Sequence, residues 1–442
     1  MLRKDITLNQ SLFNADTLDS KTIAPVLDCL DVDGMVNFLR ELIAIPSVTG
    51  TAAESQAQHW FAARLKESSF QTDLWSVDLP TTIADPQFPG LEAPREEAWG
   101  LVGSWGGEAS EGPTLVLNGH IDVVPAGDLS QWQDAAPYSG RVENGLLYGR
   151  GACDMKGGLA CNLFAVKAIQ AAGIQLKGKV LLQSVVGEED GGLGTFVTLR
   201  RGYRGDAAII PEPTELQIIP ACAGALTFRL RLTGLSAHAS TRLEGMSVIE
   251  KFWPVWKTLE TLEARRNRPG HPLMSRYELP YPLSIGTLSA GNWPSSVPDQ
   301  LIAEGRLGVA LGEDPELARR ELEAAIAETC RQDAWLREHP VVIEWFGGQF
   351  ASGQIPLEHP LISLVSRINQ QLHGNIPAVH GAPYGSDLRL MTGLGQIPTL
   401  HYGPGSVKKA HAPNEYVPIA DLIQVAQTLI VTILQFCGFH KN

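Results

Sequence analysis

The run Thr114-Leu115-Val116-Leu117-Asn118-Gly119-His120-Ile121-Asp122, and the later run Gly149-Arg150-Gly151-Ala152-Cys153-Asp154-Met155-Lys156-Gly157-Gly158, decide how the chain is read. The first is an apolar, strand-like segment that ends in a histidine and a carboxylate. Alternate side chains of an extended segment share a face, so His120 and Asp122 are expected to point the same way while Ile121 points inward. The second puts Asp154 in a glycine-rich turn just ahead of a helical pattern, the kind of loop at which open sheets bind ligands. A dinucleotide fingerprint would need a third glycine where Asp154 stands, and a carboxylate there would repel a pyrophosphate. Half of a metal site fits both runs better.

Working outward, 442 residues suffice for two or three domains, and 44% hydrophobic residues with a mean hydropathy of -0.02 describe an ordinary globular chain. A net charge of -13 argues against a nucleic-acid partner, which would call for a basic face. No membrane partner is expected. The first ten residues lack the apolar core of a signal peptide, which makes a cytoplasmic address the expectation. Six scattered cysteines without CxxC spacing fit reduced thiols.

Residues 1–32 show no period and are expected to form a surface extension. Asp33 is expected to cap a helix with Met35, Phe38, Leu39, Leu42 and Ile43 at helical spacing, stopped by Pro46. A second helix is expected over 53–66. The segment 79–98, with Pro80, Pro86, Pro89 and Pro94, reads as an irregular loop. Beyond the Asp154 turn, a helix over 158–172 ends at Gly173, and strands follow at 179–186 and 206–210. Strands alternating with helices predict an α/β fold: a mostly parallel mixed sheet flanked by helices. From about Cys222 the pattern changes to strict alternation, Leu226-Thr227-Phe228-Arg229-Leu230-Arg231-Leu232, a sheet with one wet face. Two helices and about four strands predict an inserted α+β sandwich. The expected organisation is an extension 1–32, a catalytic domain in two parts, 33–221 and 349–442, and an insert 222–348.

The acids recur at strand ends. Gly187-Glu188-Glu189-Asp190 closes one strand and Pro211-Glu212-Pro213-Thr214 the next, where flanking prolines stiffen the backbone. Adjacent carboxylates on near-extended backbone point apart, so Glu188 and Glu189 are expected to divide two tasks, metal and proton. Ala410-His411-Ala412 offers a second histidine. Three carboxylates packed together (Asp154, Glu189, Glu212) repel unless protonated or neutralised, and two divalent cations would do the latter.

These motifs together resemble the M20 family of metallopeptidases and deacylases, with Ile45-Pro46-Ser47-Val48-Thr49-Gly50 and Gly403-Pro404-Gly405 closest to its acetylornithine deacetylase and succinyl-diaminopimelate desuccinylase branch. The resemblance implies a zinc-exopeptidase-like catalytic domain with two Zn2+, for which Co2+ or Mn2+ could substitute. One ion would be held by His120, Asp154 and Glu212 and the other by Asp154, Glu189 and His411, with Asp154 bridging. It implies Asp122 as the support of His120, Glu188 as general base, and His238 in Ser236-Ala237-His238-Ala239-Ser240 as an oxyanion contact delivered to a partner subunit, hence a homodimer through 222–348. Ser295 stands where the family commonly carries asparagine, with Asn292 close by. Arg389, in Gly385-Ser386-Asp387-Leu388-Arg389, would meet a substrate carboxylate. The implied activity is removal of an acyl group from an N-acyl amino acid, with N-acetylornithine the nominal favourite; a dipeptidase or carboxypeptidase using the same site is the alternative.

Overall fold

The computed structural model describes residues 18–108, 110–268 and 270–440. The expectation for residues 1–17 of the extension lies outside these. The described part of the extension is partly helical. Ser20–Leu27 forms a helix capped by Asp19, whose carboxylate accepts from Thr22 N, and it buries Ile23 and Val26 against the helices Gly157–Ala171 and Ile419–Cys437.

The chain divides into two compact units. The first comprises the described residues up to Pro220, Gln354–His380 and 387–440. Its centre is a mixed sheet in which strands Gln71–Ser76, Trp99–Gly106, Lys179–Val185, Thr114–His120, Ala207–Ile210 and Thr399–His401 lie side by side in that order. Four neighbours, Lys179–Val185, Thr114–His120, Ala207–Ile210 and Thr399–His401, run parallel. Parallel strands are buried on both faces, which is why Thr114–His120 is buried throughout and reads as an unbroken apolar run. The two strands at one end, Gln71–Ser76 and Trp99–Gly106, are antiparallel and were not expected from sequence. The second is masked by its glycines: a Cβ on Gly100 would lie 2.1 Å from the ring of Trp75, so the strand packs by omitting side chains.

Helix Val32–Ile43 buries Met35, Phe38, Leu39, Leu42 and Ile43 as expected, but its cap is Asp31, which accepts from Gly34 N, and not Asp33. Asp33 sits inside the first turn. The next helix runs Ala52–Glu67 and the one after the Asp154 turn Gly157–Ala171. The proline-rich segment opens with one short helix, Leu79–Ile83, capped by Asp78, before continuing irregularly to Trp99. The final helix, Ile419–Cys437, is long and apolar enough to cross a membrane by length and composition. Most of its side chains are buried, packed on helices Gly157–Ala171 and Pro360–His373, which accounts for the apolarity. A small antiparallel sheet joins Arg141–Glu143, Leu146–Tyr148 and Tyr416–Pro418.

The second unit spans Ala221–Gly353 and also takes in Gly381–Ser386, a stretch expected in the larger part. Its antiparallel sheet has the order Leu283–Ala290, Gln300–Val309, Gly224–Thr233, Val342–Phe350. Leu226, Phe228, Leu230 and Leu232 point to one face and pack with Val255 and Leu259 of helix Val248–Arg266 and Leu322 and Ile326 of helix Pro315–Gln332.

Candidate metal centre

Four loops at the carboxyl ends of the parallel strands bring the acids and imidazoles of the first unit together. His120 is the last residue of its strand and 1% exposed. Its Nδ1 lies 2.9 Å from the backbone carbonyl of Asp122 and donates to it, which leaves the Nε2 lone pair turned to the other side of the ring. Nε2 stands 3.1 Å from Asp154 Oδ1 and 3.9 Å from Glu212 Oε1. On the opposite flank, His411 Nε2 stands 3.0 Å from Glu189 Oε2 and 3.5 Å from Asp154 Oδ2. The two oxygens of Asp154 therefore face different histidines, each beside a different glutamate.

Lone pairs of a neutral imidazole and of carboxylates repel one another unless a cation lies between them. Burial pushes the carboxyls of Glu188 and Glu212 well above the usual range, and that of Glu189 upward too. Burial also raises Asp154, but the hydrogen bond with His120 and the histidine charges bring it below its ordinary value. The hydrogen bond to Glu189 is the main reason His411 is pushed up to about 9. The site therefore gathers more negative charge than its own side chains balance, which a bound cation would offset. His120, Glu188 and Glu212, and likewise His120, Asp154 and Glu189, offer ligand atoms within 4.8 Å of one another, so the donor set fits divalent cations of the zinc type.

Asp122 supports His120 through its main chain rather than its side chain. Its carboxylate is 3.8 Å from His120 Nδ1 and instead accepts from Glu188 N at 3.3 Å, Glu189 N at 3.4 Å and the Thr49 hydroxyl at 2.9 Å. Glu188 and Glu189 lie in a turn that Gly187 opens with φ of 64°, and not on near-extended backbone. Asp387, a buried carboxylate that sequence gives only as part of the Arg389 motif, acts electrostatically on Glu188 and Glu212. Arg389 is 5% exposed; its Nη2 donates to Gly191 O at 2.6 Å and its Nη1 lies 3.8 Å from Asp387 Oδ1, so its fork is spent at least partly on the protein.

Three buried ion pairs that no motif announces support the site. Arg150 donates to Glu415 Oε2 at 2.6 Å, and Glu415 Oε1 accepts from Cys153 N at 3.0 Å and Asp154 N at 3.2 Å. Arg95 joins Glu54 and Asp190. Nothing in composition marks these pairs, because partners lie up to 265 residues apart.

The second unit carries His238 and Asn292. His238 caps the short helix Ala239–Glu244, its Nδ1 accepting from Ser240 N at 3.1 Å. Its segment pairs with the one that holds Ser295: Ala239 N donates to Ser295 O, and Val297 N to Ala237 O. Asn292 is exposed in the same loop.

Known proteins share this arrangement of sequence and fold. The N-formyl-4-amino-5-aminomethyl-2-methylpyrimidine deformylase of Halalkalibacterium halodurans is 28% identical over 431 residues, covering 92% of this chain and 95% of the relative. The acetylornithine deacetylase of Proteus mirabilis is 27% identical over 418 residues, covering 92% and 97%. The crystal structure of an M20 family metallo-carboxypeptidase from Sulfolobus solfataricus superposes with a TM-score of 0.74 at 16% identity, covering 91% of this chain and 99% of that one, a likeness of fold. The profile of peptidase family M20/M25/M40 matches residues 116–435, a span that includes every acid and imidazole gathered at the sheet ends. With that match added to a donor set built for cations, the chain belongs to the M20 family and is a metal-dependent hydrolase of amide bonds.

Proposed function

We propose that the protein is a di-zinc N-deacylase that removes a small acyl group from the amine of a small molecule, with an N-acyl amino acid such as N-acetylornithine as the first substrate to consider. The observation that carries it is the divided carboxylate of Asp154, one oxygen toward His120 and the other toward His411. That is the disposition of a ligand shared by two ions, with Glu212 completing one set and Glu189 the other. Cobalt or manganese would suit the same ligands. Two cations held there would lower the pKa of a shared water and draw electron density from the substrate carbonyl. Glu188, buried beside the ligands, would take a proton from the attacking water and return it to the leaving nitrogen. Arg389 is assigned to holding the Gly191 turn rather than to a substrate carboxylate. A homodimer through 222–348 would let His238 and Asn292 approach a partner's substrate.

A deacylase is favoured over the dipeptidase or carboxypeptidase alternative because the two relatives described act, by name, on formyl and acetyl amides. For the same reason an N-formyl aminomethylpyrimidine is the second substrate to consider. The test is a panel of N-acetyl, N-formyl and N-succinyl amino acids, the formylated aminopyrimidine and dipeptides, offered to zinc-reconstituted protein, with Glu188→Gln alongside. Hydrolysis of an N-acyl amine by the wild type, lost in Glu188→Gln with metal retained, is expected. Turnover of dipeptides alone would reject the deacylase, and full activity of Glu188→Gln would reject the base.

A further inference from the structure

We propose that Arg95, carried by the proline-rich segment 79–98, is a positioning residue that holds the turn bearing Glu188; the inference rests on Glu188 being the base. The turn Gly187–Gly192 closes on itself through Gly192 N donating to Gly187 O at 2.6 Å, and Asp122 and Arg389 hold the amides of Glu188 and Glu189 and the carbonyl of Gly191. It follows the end of a strand, opens on a left-handed glycine, and places Glu188 and Glu189 against Glu212 and Asp387, all of like charge.

A further set of ties, flanking Glu188 on both sides, converges on one guanidinium. Arg95 Nη1 donates to Glu54 Oε2 at 2.9 Å, and Glu54 Oε1 accepts from Gly187 N at 3.0 Å. Arg95 Nη2 donates to both oxygens of Asp190, each at 3.1 Å. The residues immediately before and two after Glu188 are thus attached to the same planar group. The side chains of Arg95, Glu54 and Asp190 are 1%, 1% and 6% exposed, so water does not loosen the attachment. The guanidinium also lies over the turn: a Cβ on Gly187 would come within 2.9 Å of Nη2. Asp190 reaches back to accept from Ala93 N at 2.9 Å and Glu92 N at 3.3 Å, so each segment orders the other. Pro94 restricts the backbone of Ala93 and sets the residue from which Arg95 projects.

A buried charged triad adds little net stability, since desolvation offsets most of the attraction. What it does fix is place. A lysine could neutralise the same two acids but is a point charge without the planar fork that binds both at once. Misplacing a catalytic group by roughly 1 Å costs on the order of a hundredfold in rate. The proline-rich segment, silent in the sequence, would then serve as the mount of the base.

The test compares Arg95→Lys and Arg95→Ala with the wild-type full chain, metal-reconstituted, on the substrate that the panel identifies. Arg95→Lys is expected to lose at least tenfold in kcat with KM within threefold and bound metal unchanged. Arg95→Ala is expected to lose more and to regain turnover with millimolar methylguanidinium, which can enter through the cavity of about 440 Å3 that Arg95 lines with Thr51 and Pro94. Hydrogen exchange should quicken in the peptide spanning Val186–Gly192. Wild-type kcat in Arg95→Lys, a change confined to KM, loss of metal, or absence of rescue in a folded Arg95→Ala would each overturn the proposal. If no panel substrate is turned over by the wild type, the deacylase reading fails, while unchanged exchange at 186–192 in Arg95→Lys would still refute the positioning role.

Discussion

Replacing Glu415 by glutamine should damage the metal centre without touching a metal ligand. Glu415 is fully buried and makes three bonds: to Arg150, itself 2% exposed, and to the backbone amides of Cys153 and Asp154. Its carbonyl accepts from Gly149 N at 2.9 Å, and it stands four residues beyond His411. One side chain therefore joins the loop of His411 to the turn of Asp154. Glutamine keeps the shape and one acceptor but strands the Arg150 guanidinium, whose other contacts are carbonyls at 3.4–3.5 Å and the face of Trp132. Leaving one half of a buried ion pair costs about 3–5 kcal/mol. Urea unfolding of the metal-free protein should show a loss in that range for Glu415→Gln. Removing both charges, Arg150→Met with Glu415→Gln, should cost less than the two single changes added together, since each single change contains the cost of an unpaired charge. Titration with zinc should give weaker binding in Glu415→Gln, because Asp154 is held by its own amide. An unfolding midpoint within about 0.5 kcal/mol of wild type, the scale of an ordinary surface change, would refute the reasoning.

Other outcomes follow from the same packing. Gly403 has no room for a side chain: a Cβ there would lie 2.3 Å from Glu212 O and 2.4 Å from Pro211 C, so Gly403→Ala should destabilise by about 1–3 kcal/mol and depress turnover by displacing Glu212, and wild-type kinetics in that variant would contradict the crowding. His401 is fully buried and burial pulls its pKa down to about 3, below the ordinary 6.5 of an unfolded chain. Its neutral form favours folding above pH 6.5, and that contribution is lost as pH falls from 6.5 toward 3, by about 1.4 kcal/mol per pH unit. Urea unfolding at pH 7 and pH 5 should show His401→Gln losing less than wild type, and equal losses would remove His401 as the cause. Chelation should abolish turnover and lower Tm, and zinc at a hundred times its Kd should restore about 2.7 kcal/mol, measurable by thermal shift; an unshifted Tm on adding zinc, cobalt or manganese would oppose a metal held by the native state.

How much of this was legible in the sequence depended on whether one residue or two carried the signal. The buried parallel strand at Thr114–His120 shows itself, because burial on both faces demands an apolar run and its end must expose function. The alternation from Leu226 to Leu232 shows itself too, since a sheet with one wet face sorts residues two by two. Trp99–Gly106 did not, because its packing is written in the absence of side chains, with Trp75 filling the space over Gly100. Helix Leu193–Arg200 went unseen because it is buried all round, so no polar face marks its period. At the metal centre each acid and imidazole ends a recognisable run, which marked the stretches, while the resemblance to the M20 family was what nominated His120, Asp154, Glu189, Glu212 and His411 among them. Which carboxylate supports which group was not legible. Asp122 was expected to serve the His120 ring, yet the ring is held by its carbonyl while its carboxylate serves the amides of Glu188 and Glu189.

That division has a physical logic. A ligand is chosen for its own chemistry, so its residue type betrays it. A residue that positions a ligand works by geometry, and arginine, glutamate or a backbone amide will each do if the distance is right. Arg95, Glu54, Arg150 and Glu415 are ordinary charged residues by type and become informative only when the fold buries them. Burial is also what makes them consequential: an exposed ion pair is worth little, whereas a buried charge that loses its partner keeps its full desolvation penalty. Sites of this kind therefore divide into donors that composition and spacing reveal and mounts that only the folded chain reveals, and a variant that spares every donor while removing a mount separates the two.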